Sequence, residues 1–320
     1  MGKTAPLWKN SSPNERSDNT VIGPVSYDRS RGIACAPLLV PKDHPYFFDH
    51  PLDHVPGILL LEGVFQLFAQ TAYDRVNPSG DQEIYIKKVD ISFQRWCEQD
   101  VPIQIELIPK ENASSSSYSL AFEGRIFQKK KTACRIDLEG GLTASKPAPG
   151  GVSSPGSLEP PGQPRQELRP EGKFVHKLRP ENVVIANLRK EPEEGCTCDL
   201  LKPPEGHILS GKERSCYSML YLLETIRQFS LLTAHTYGGI SLDASFILLS
   251  FRFSLRRPVF RHETLRLNSR RQPAFGFGGV VMGTIEVILY AGDEPLGEGS
   301  IKSLAVHKEI YKIQRWKKKK

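Results

Sequence analysis

Val55-Pro56-Gly57-Ile58-Leu59-Leu60-Leu61-Glu62-Gly63-Val64-Phe65-Gln66-Leu67-Phe68-Ala69-Gln70 is apolar on nearly every side of a helical wheel. A stretch with that pattern belongs inside a protein as a buried helix. Pro56 suits its first turn, where the N–H that proline lacks has no intrahelical partner. At about 20 residues, ~30 Å, such a helix has the length to cross a bilayer. Glu62, Gln66 and Gln70, repeating at i, i+4 along one face, argue against that.

Working outward, the helix is preceded by an extended run, Ile33 to Val40, and by a loop rich in His, Pro and aromatic residues. After Gly80 the pattern alternates as strands do: Ile84 to Phe93, Val101 to Leu107, Tyr118 to Phe127 and Thr132 to Leu138. The second half repeats this order. Extended runs at Val183-Val184-Ile185 and Cys198-Asp199-Leu200 lead to a loop with His207, an apolar helix over Met219 to Leu232, and strands beginning near Phe246, Thr264, Val280 and Ser300.

One offset superimposes the halves. Glu224 follows Glu62, Gln228 follows Gln66 and Ser254 follows Ser92, each by 162 residues. A match that runs without a gap from mid-helix into the next strand marks an internal duplication. The implied fold class is α+β: two tandem repeats, each a long central helix wrapped by an antiparallel sheet, forming one intramolecular pseudo-dimer. The expected organisation is a loose arm over 1–24, a first repeat over 25–145, a linker over 146–170, a second repeat over 171–308 and a basic tail over 309–320. The linker reading rests on seven Pro and four Gly in 25 residues, a composition that buries nothing.

Among 320 residues, 43 are basic and 36 acidic, a net charge of +7. Seven of the basic residues and one acid lie after His307, so the remaining 307 residues carry only +1. That distribution speaks against nucleic-acid binding, which would need a basic surface on the folded body, and the tail reads as a solvated end. The six cysteines are scattered, and Cys196-Thr197-Cys198 has no second pair at zinc spacing, so no metal site is expected. The first residues lack the apolar core of a secretion signal, which makes a reducing, cytoplasmic setting the default. Gly276-Phe277-Gly278-Gly279 reads as a bulge or turn, and Asn112 to Ser117 as a loop.

The stretch His44-Pro45-Tyr46-Phe47-Phe48-Asp49-His50-Pro51-Leu52-Asp53-His54-Val55-Pro56-Gly57 with Ile58 to Glu62 resembles the Asp-His-Val-Pro-Gly-Met-Leu-Leu-Leu-Glu motif of the A-factor synthase (AfsA) family. Glu224-Thr225-Ile226-Arg227-Gln228, with His235 and Gly239 beyond it, is similar to that family's other repeat. Two departures stand out. The Asp-His-Val-Pro-Gly repeat comes first here and second in the family, and Tyr217-Ser218-Met219 stand where the family has His-Asp-Pro. The resemblance covers about residues 25 to 145 and 175 to 308, and it implies hotdog folds. It also implies transfer of a beta-ketoacyl chain from acyl carrier protein, or from a CoA thioester, to the hydroxyl of an acceptor such as dihydroxyacetone phosphate, on the way to gamma-butyrolactone signals. No tightly bound cofactor or nucleic-acid partner is implied, and a homo-oligomer stays open.

Such chemistry needs a base for the hydroxyl, donors for the developing oxyanion and a dry channel for the chain. His54, beside Asp53 in the motif, precedes a helix N-terminus whose positive end favours neutral imidazole. The amides of Gly57 and Ile58 have no intrahelical acceptor and can meet a thioester oxygen. Burial of Glu62 without a cation would raise its pKa and suit an acid/base or orienting role. In related hotdog dimers the site is composite, so the resemblance leaves His54 to meet Glu224 and His207 to meet Glu62, with the glutamate that serves His54 staying open between the two. His44, Arg227 and His235 join as substrate contacts, Arg227 either pairing with Glu224 or holding a phosphate. Against these stand structural readings for His44, His50, Gln66, Gln228 and the two glutamates. In simple hotdog dehydratases the catalytic histidine stands 14 residues before the helix glutamate, and Phe48 occupies that place. A dehydratase or thioesterase of the same fold, or a non-catalytic acyl-binding protein, remains the alternative.

Overall fold

The computed structural model describes residues 19–78, 82–110, 120–144, 167–191, 195–211, 215–270, 275–277 and 279–319. Most of the expected arm and linker, and the Asn112 to Ser117 loop, lie outside these residues.

The first half contributes strands β1 (Ser26–Asp28), β2 (Ile33–Leu38), β3 (Gln82–Phe93), β4 (Ile103–Pro109), β5 (Leu120–Gln128) and β6 (Lys131–Ala144) around helix α1 (Gly57–Val76). The second contributes β7 (Ile185–Lys190), β8 (Cys196–Leu200), β9 (Ser245–Leu255), β10 (Leu265–Arg270), the short β11 (Phe275–Phe277), β12 (Val280–Ala291) and β13 (Glu294–Val306) around α2 (Met219–Thr236). The 162-residue offset extends to the whole architecture: Ile103 opens β4 and Leu265 opens β10, while β6 closes at Ala144 and β13 at Val306.

All thirteen strands join one antiparallel sheet, ordered β1-β2-β4-β5-β6-β3-β9-β13-β12-β10-β8-β7, with β11 hairpinned onto β12. The halves meet at β3 and β9, where Asp90 pairs with Arg252, its own image under the offset. Their side chains form an ion pair at 2.9 Å. The pseudo-twofold axis therefore passes through this pair. Beside it Val89, Ile91, Phe251 and Phe253 are all buried, which fuses the two cores.

Helix α1 packs Leu59, Leu60, Leu61, Val64, Phe65, Leu67, Phe68 and Ala72 into the sheet. Gly63 has a specific job there, because a Cβ at that position would collide with Leu38 and Ile105. Pro56 sits at the N-cap and Asn77 closes the helix in the left-handed region at φ 45°. Helix α2 starts more firmly, with the Ser218 hydroxyl accepting from the Tyr221 amide at 3.2 Å. No described helix is long and apolar enough to cross a membrane.

Two expectations change. Residues 19–24 are not loose: Val21 is buried, its amide donates to Gln66 Oε1 at 2.9 Å, and Gly23 and Leu39 complete backbone bonds across to Pro37 and Val21. The basic run is not a solvated end either. Lys308–Lys319 form a third helix, α3, that packs against the loop holding His54.

Candidate active site

Both central helices grip the chain in the same way. Gln66 accepts from the Val21 amide and donates to the Asn19 carbonyl (2.8 Å) and to Glu62 (2.8 Å). Gln228 accepts from the Val184 amide (3.0 Å) and donates to the Asn182 carbonyl (2.7 Å) and to Glu224 (2.7 Å). The i, i+4 Glu-Gln pair thus fixes the segment entering each repeat and aims each glutamate. Gln66 and Gln228 are structural, as the sequence suggests.

The environments of the two glutamates then diverge. Glu224 is fully buried, receives Nε and Nη2 of Arg227 at 2.8 Å each, and has Lys177 Nζ at 3.4 Å. Burial pulls its pKa up, but Arg227, Lys177 and Gln228 outweigh burial and hold it at about 2. Glu224, expected opposite His54, is instead a carboxylate that stays charged and aims two cations. Arg227 pairs with Glu224, and its Nη1 carries no hydrogen bond to a described residue. Glu62 is only half-buried, and its charge adds to those acting on Tyr46.

Tyr46, from the first repeat, lies over this cluster with its ring 4.0 Å from Lys177 Nζ. Its hydroxyl is buried with no hydrogen-bond partner among the described residues, and burial together with the charge of Glu224 pushes its pKa well up. Asp49 accepts from the amides of Leu178 and Arg179 (3.0 and 3.1 Å), and Asn182 donates to the Pro45 carbonyl (3.1 Å). Loop 44–51 of one repeat is thereby sewn to segment 175–184 of the other. The site is composite, but its partners differ from those expected.

His54 meets neither glutamate. Its Nδ1 lies 2.7 Å from Asp53 Oδ1, and since a carboxylate only accepts, Nδ1 carries the proton and Nε2 is left as the acceptor. No hydrogen bond from a described residue reaches Nε2. Burial lowers the His54 pKa while Asp53 opposes it, so the ring is neutral at pH 7. The loop is held by Gln99, which donates to the Leu52 and His54 carbonyls (2.7 and 3.2 Å), and by Val55 N to Cys97 O (2.8 Å). Trp96 meets the imidazole edge-on at 4.5 Å. From α3, Tyr311 donates to Asp53 Oδ1 (2.9 Å), and Arg315 reaches Asp53 Oδ2 (3.0 Å) and the Asp53 carbonyl (2.8 Å). The half-buried amides of Gly57 and Ile58 follow three and four residues later, at the start of α1.

The other expected residues scatter. His44 is buried, and its Nδ1 accepts from the amides of Tyr46 and Phe47 (3.2 and 3.5 Å), capping its own turn. His207 accepts from Leu209 N (3.2 Å), donates to Asn182 Oδ1 (2.8 Å) and stands edge-on to Tyr46 at 5.4 Å, on the Glu224 side of the seam and not with Glu62. His235 donates from Nδ1 to the Ile240 carbonyl (2.9 Å), so its Nε2 accepts from His176 Nε2 at 3.3 Å. His176 holds φ 53°, an unusual backbone for a non-glycine residue. That twist lets two consecutive side chains, His176 and Lys177, both turn inward to His235 and Glu224.

Sequence reasoning passed over Tyr46, Lys177, Tyr311 and Arg315, and gave His50 a structural role. His50 Nδ1 is buried with no hydrogen-bond partner among the described residues, and burial, Lys177 and Arg227 together lower its pKa. The charges of Lys177, Arg227, Asp49 and His54 all act on it. Only His50 and Tyr46 had a signal, since both fall inside the quoted motif.

The A-factor biosynthesis hotdog domain (AfsA) model matches residues 14–143 and 161–307. The chain belongs to this family. A 2-oxo-3-(phosphooxy)propyl 3-oxoalkanoate synthase from Streptomyces virginiae is 30% identical over 103 residues, an alignment spanning 32% of this chain and 33% of that enzyme. Among solved structures, the dehydratase domain of PpsC from Mycobacterium tuberculosis in complex with C12:1-CoA superimposes with a TM-score of 0.52 at 14% identity, over 89% of this chain and 98% of that one. A putative oleoyl thioesterase from Lactobacillus plantarum does so at 0.51 and 10% identity, over 88% and 99%. At these identities the likeness concerns the fold: this AfsA-family chain is a double hotdog.

Proposed function

We propose that the chain is an acyl-thioester enzyme that moves a beta-ketoacyl chain from an acyl carrier protein or CoA thioester onto the hydroxyl of a small phosphorylated acceptor, of which dihydroxyacetone phosphate is the first to try. The observation that carries the reading is the Asp53–His54 dyad, which leaves Nε2 as the acceptor on a loop that runs straight into the first amides of α1. Membership of the AfsA family and likeness to the S. virginiae 2-oxo-3-(phosphooxy)propyl 3-oxoalkanoate synthase support the substrate class.

In this reading His54 Nε2 takes the proton as the acceptor oxygen attacks the thioester carbonyl. The Gly57 and Ile58 amides receive the oxyanion. Collapse of the adduct breaks the C–S bond, and the proton passes from His54 to the departing thiolate, so one thioester and one alcohol give one ester and one thiol. Asp53 stabilises the imidazolium in between. Arg227, braced by Glu224 and with Nη1 open, serves the acceptor phosphate.

Mass spectrometry of products from a beta-ketoacyl thioester, with and without dihydroxyacetone phosphate, tests the reading. The expected product is the phosphorylated ester, formed only with acceptor present. Release of free beta-keto acid at the same rate with and without acceptor would make the chain a thioesterase instead.

A further inference from the structure

The family match ends at residue 307, and α3 begins at Lys308. This helix lies beyond the hotdog repeats, yet it makes the densest contacts to the Asp53–His54 dyad. Tyr311 and Arg315 stand four residues apart and so share one helix face. Tyr311 Oη lies 2.9 Å from Asp53 Oδ1 and 3.3 Å from His54 Nδ1, and its ring is edge-on to Trp96 at 5.8 Å. Arg315 is 4% exposed. It binds Asp53 through Oδ2 and the carbonyl, takes both oxygens of Glu98 (3.0 and 3.1 Å), and lies over the Trp96 ring at 5.3 Å.

We infer that α3 is a built-in positioning element for the dyad, with Tyr311 and Arg315 fixing the Asp53 carboxylate so that His54 keeps its proton on Nδ1 and its base on Nε2. Asp53 is nearly half exposed, and a carboxylate in that position rotates freely unless something holds it. Here both oxygens are occupied, Oδ1 by His54 and Tyr311, Oδ2 by Arg315. Glu98 balances the guanidinium, so Arg315 does not act on His54 as an uncompensated cation. The charged and titratable groups around His54 are then Asp53 and His50 from its own loop, Glu98 from the following loop, and Tyr311 and Arg315 from α3. The C-terminal part of the chain thereby reaches back to the first repeat and completes a site that the repeats leave half-held.

The inference rests on His54 being the base, and the test separates the two. In Tyr311→Phe the ring and its packing remain while one hydrogen bond to Asp53 is lost. Freed of that donor, Asp53 Oδ1 pulls harder on an imidazolium at Nδ1, so the acid limb of kcat/KM should move to higher pH. The wild-type protein should show the Nδ1–H tautomer of His54 in 15N NMR, and Tyr311→Phe should raise its titration midpoint. Tyr311→Phe should cost about tenfold in kcat with KM held within about twofold, the scale of one charge-assisted hydrogen bond. Arg315→Lys, which keeps charge but loses the fork, should show a larger kcat loss of the same kind. An unmoved titration midpoint and pH limb in both variants, or kcat equal to or above wild type, would overturn the positioning role. A shifted His54 titration in a protein without transferase activity would uphold α3 and sink the proposed reaction.

Discussion

His54 offers Nε2 because Asp53 occupies the other side of the ring, so His54→Gln, whose amide still donates toward Asp53, removes the base and little else. Loss of roughly 10²–10⁴ in kcat is expected, with the melting temperature and KM nearly kept. Full activity of that variant on both carrier and CoA thioesters would remove the base assignment. Glu224 behaves differently, because its charge holds the seam. Glu224→Ala leaves the buried Lys177 and the half-buried Arg227 without their shared counter-ion and should cost about 3–5 kcal/mol in urea unfolding, whereas a loss below about 1 kcal/mol would mean water already reaches the cluster. The buried histidines set the pH response. Burial, then nearby cations and histidines, holds His176 at about 3, and burial with Lys177 holds His207 at about 4, both below the ~6.5 of an unfolded histidine. As pH falls from about 6.5 to 4, the unfolded chain takes up protons that the folded chain refuses, so stability falls through that window. A melting temperature that is flat from pH 7 to 5 would contradict the burial of both rings, and His176→Gln and His207→Gln should each flatten the slope.

Strands β3 and β9 carry the junction, and their residues differ in weight. Phe251, fully buried at the seam, should cost about 3–5 kcal/mol as Phe251→Ala. Its neighbour Arg252 keeps 70% of its side chain exposed, so Asp90→Asn should change stability by less than about 1 kcal/mol. Chemical denaturation of the two variants checks both, and the reverse ranking would place the junction's stability in the ion pair. The elements were legible because their signals are local. The apolar helix of residues 55–70 became Gly57–Val76, the Met219 helix began at Met219, and the 162-residue offset links the starts of α1 and α2 and the openings of β4 and β10. What sequence could not show depends on neighbours distant along the chain. Lys177 reads as one more basic residue until Glu224 faces it, and the Lys308 run reads as a tail because charge dominates its composition. Only the docked face, Tyr311 and Arg315 meeting Asp53, reveals why it is helical. The same holds for His54: its motif marked it, but its partner is the adjacent Asp53 and not a glutamate on the opposite helix.

Across the whole molecule, no half owns the site. Residues 44–57 supply Tyr46, Asp49, the dyad and the open amides, while residues beyond 175 supply Lys177, Arg227 and the α3 clamp. Each half alone would also expose the edge of β3 or β9 and the apolar face that its copy covers. Separately encoded 1–155 and 156–320, cut within the segment between Ala144 and Glu167, test this interdependence directly. Each fragment alone should be aggregated and inactive, the co-expressed pair should purify as a 1:1 complex with thioester turnover restored, and His54→Gln in the first fragment should lower that turnover by roughly 10²–10⁴. A soluble monomeric half that turns over thioester alone at the rate of the intact chain would contradict the interdependence.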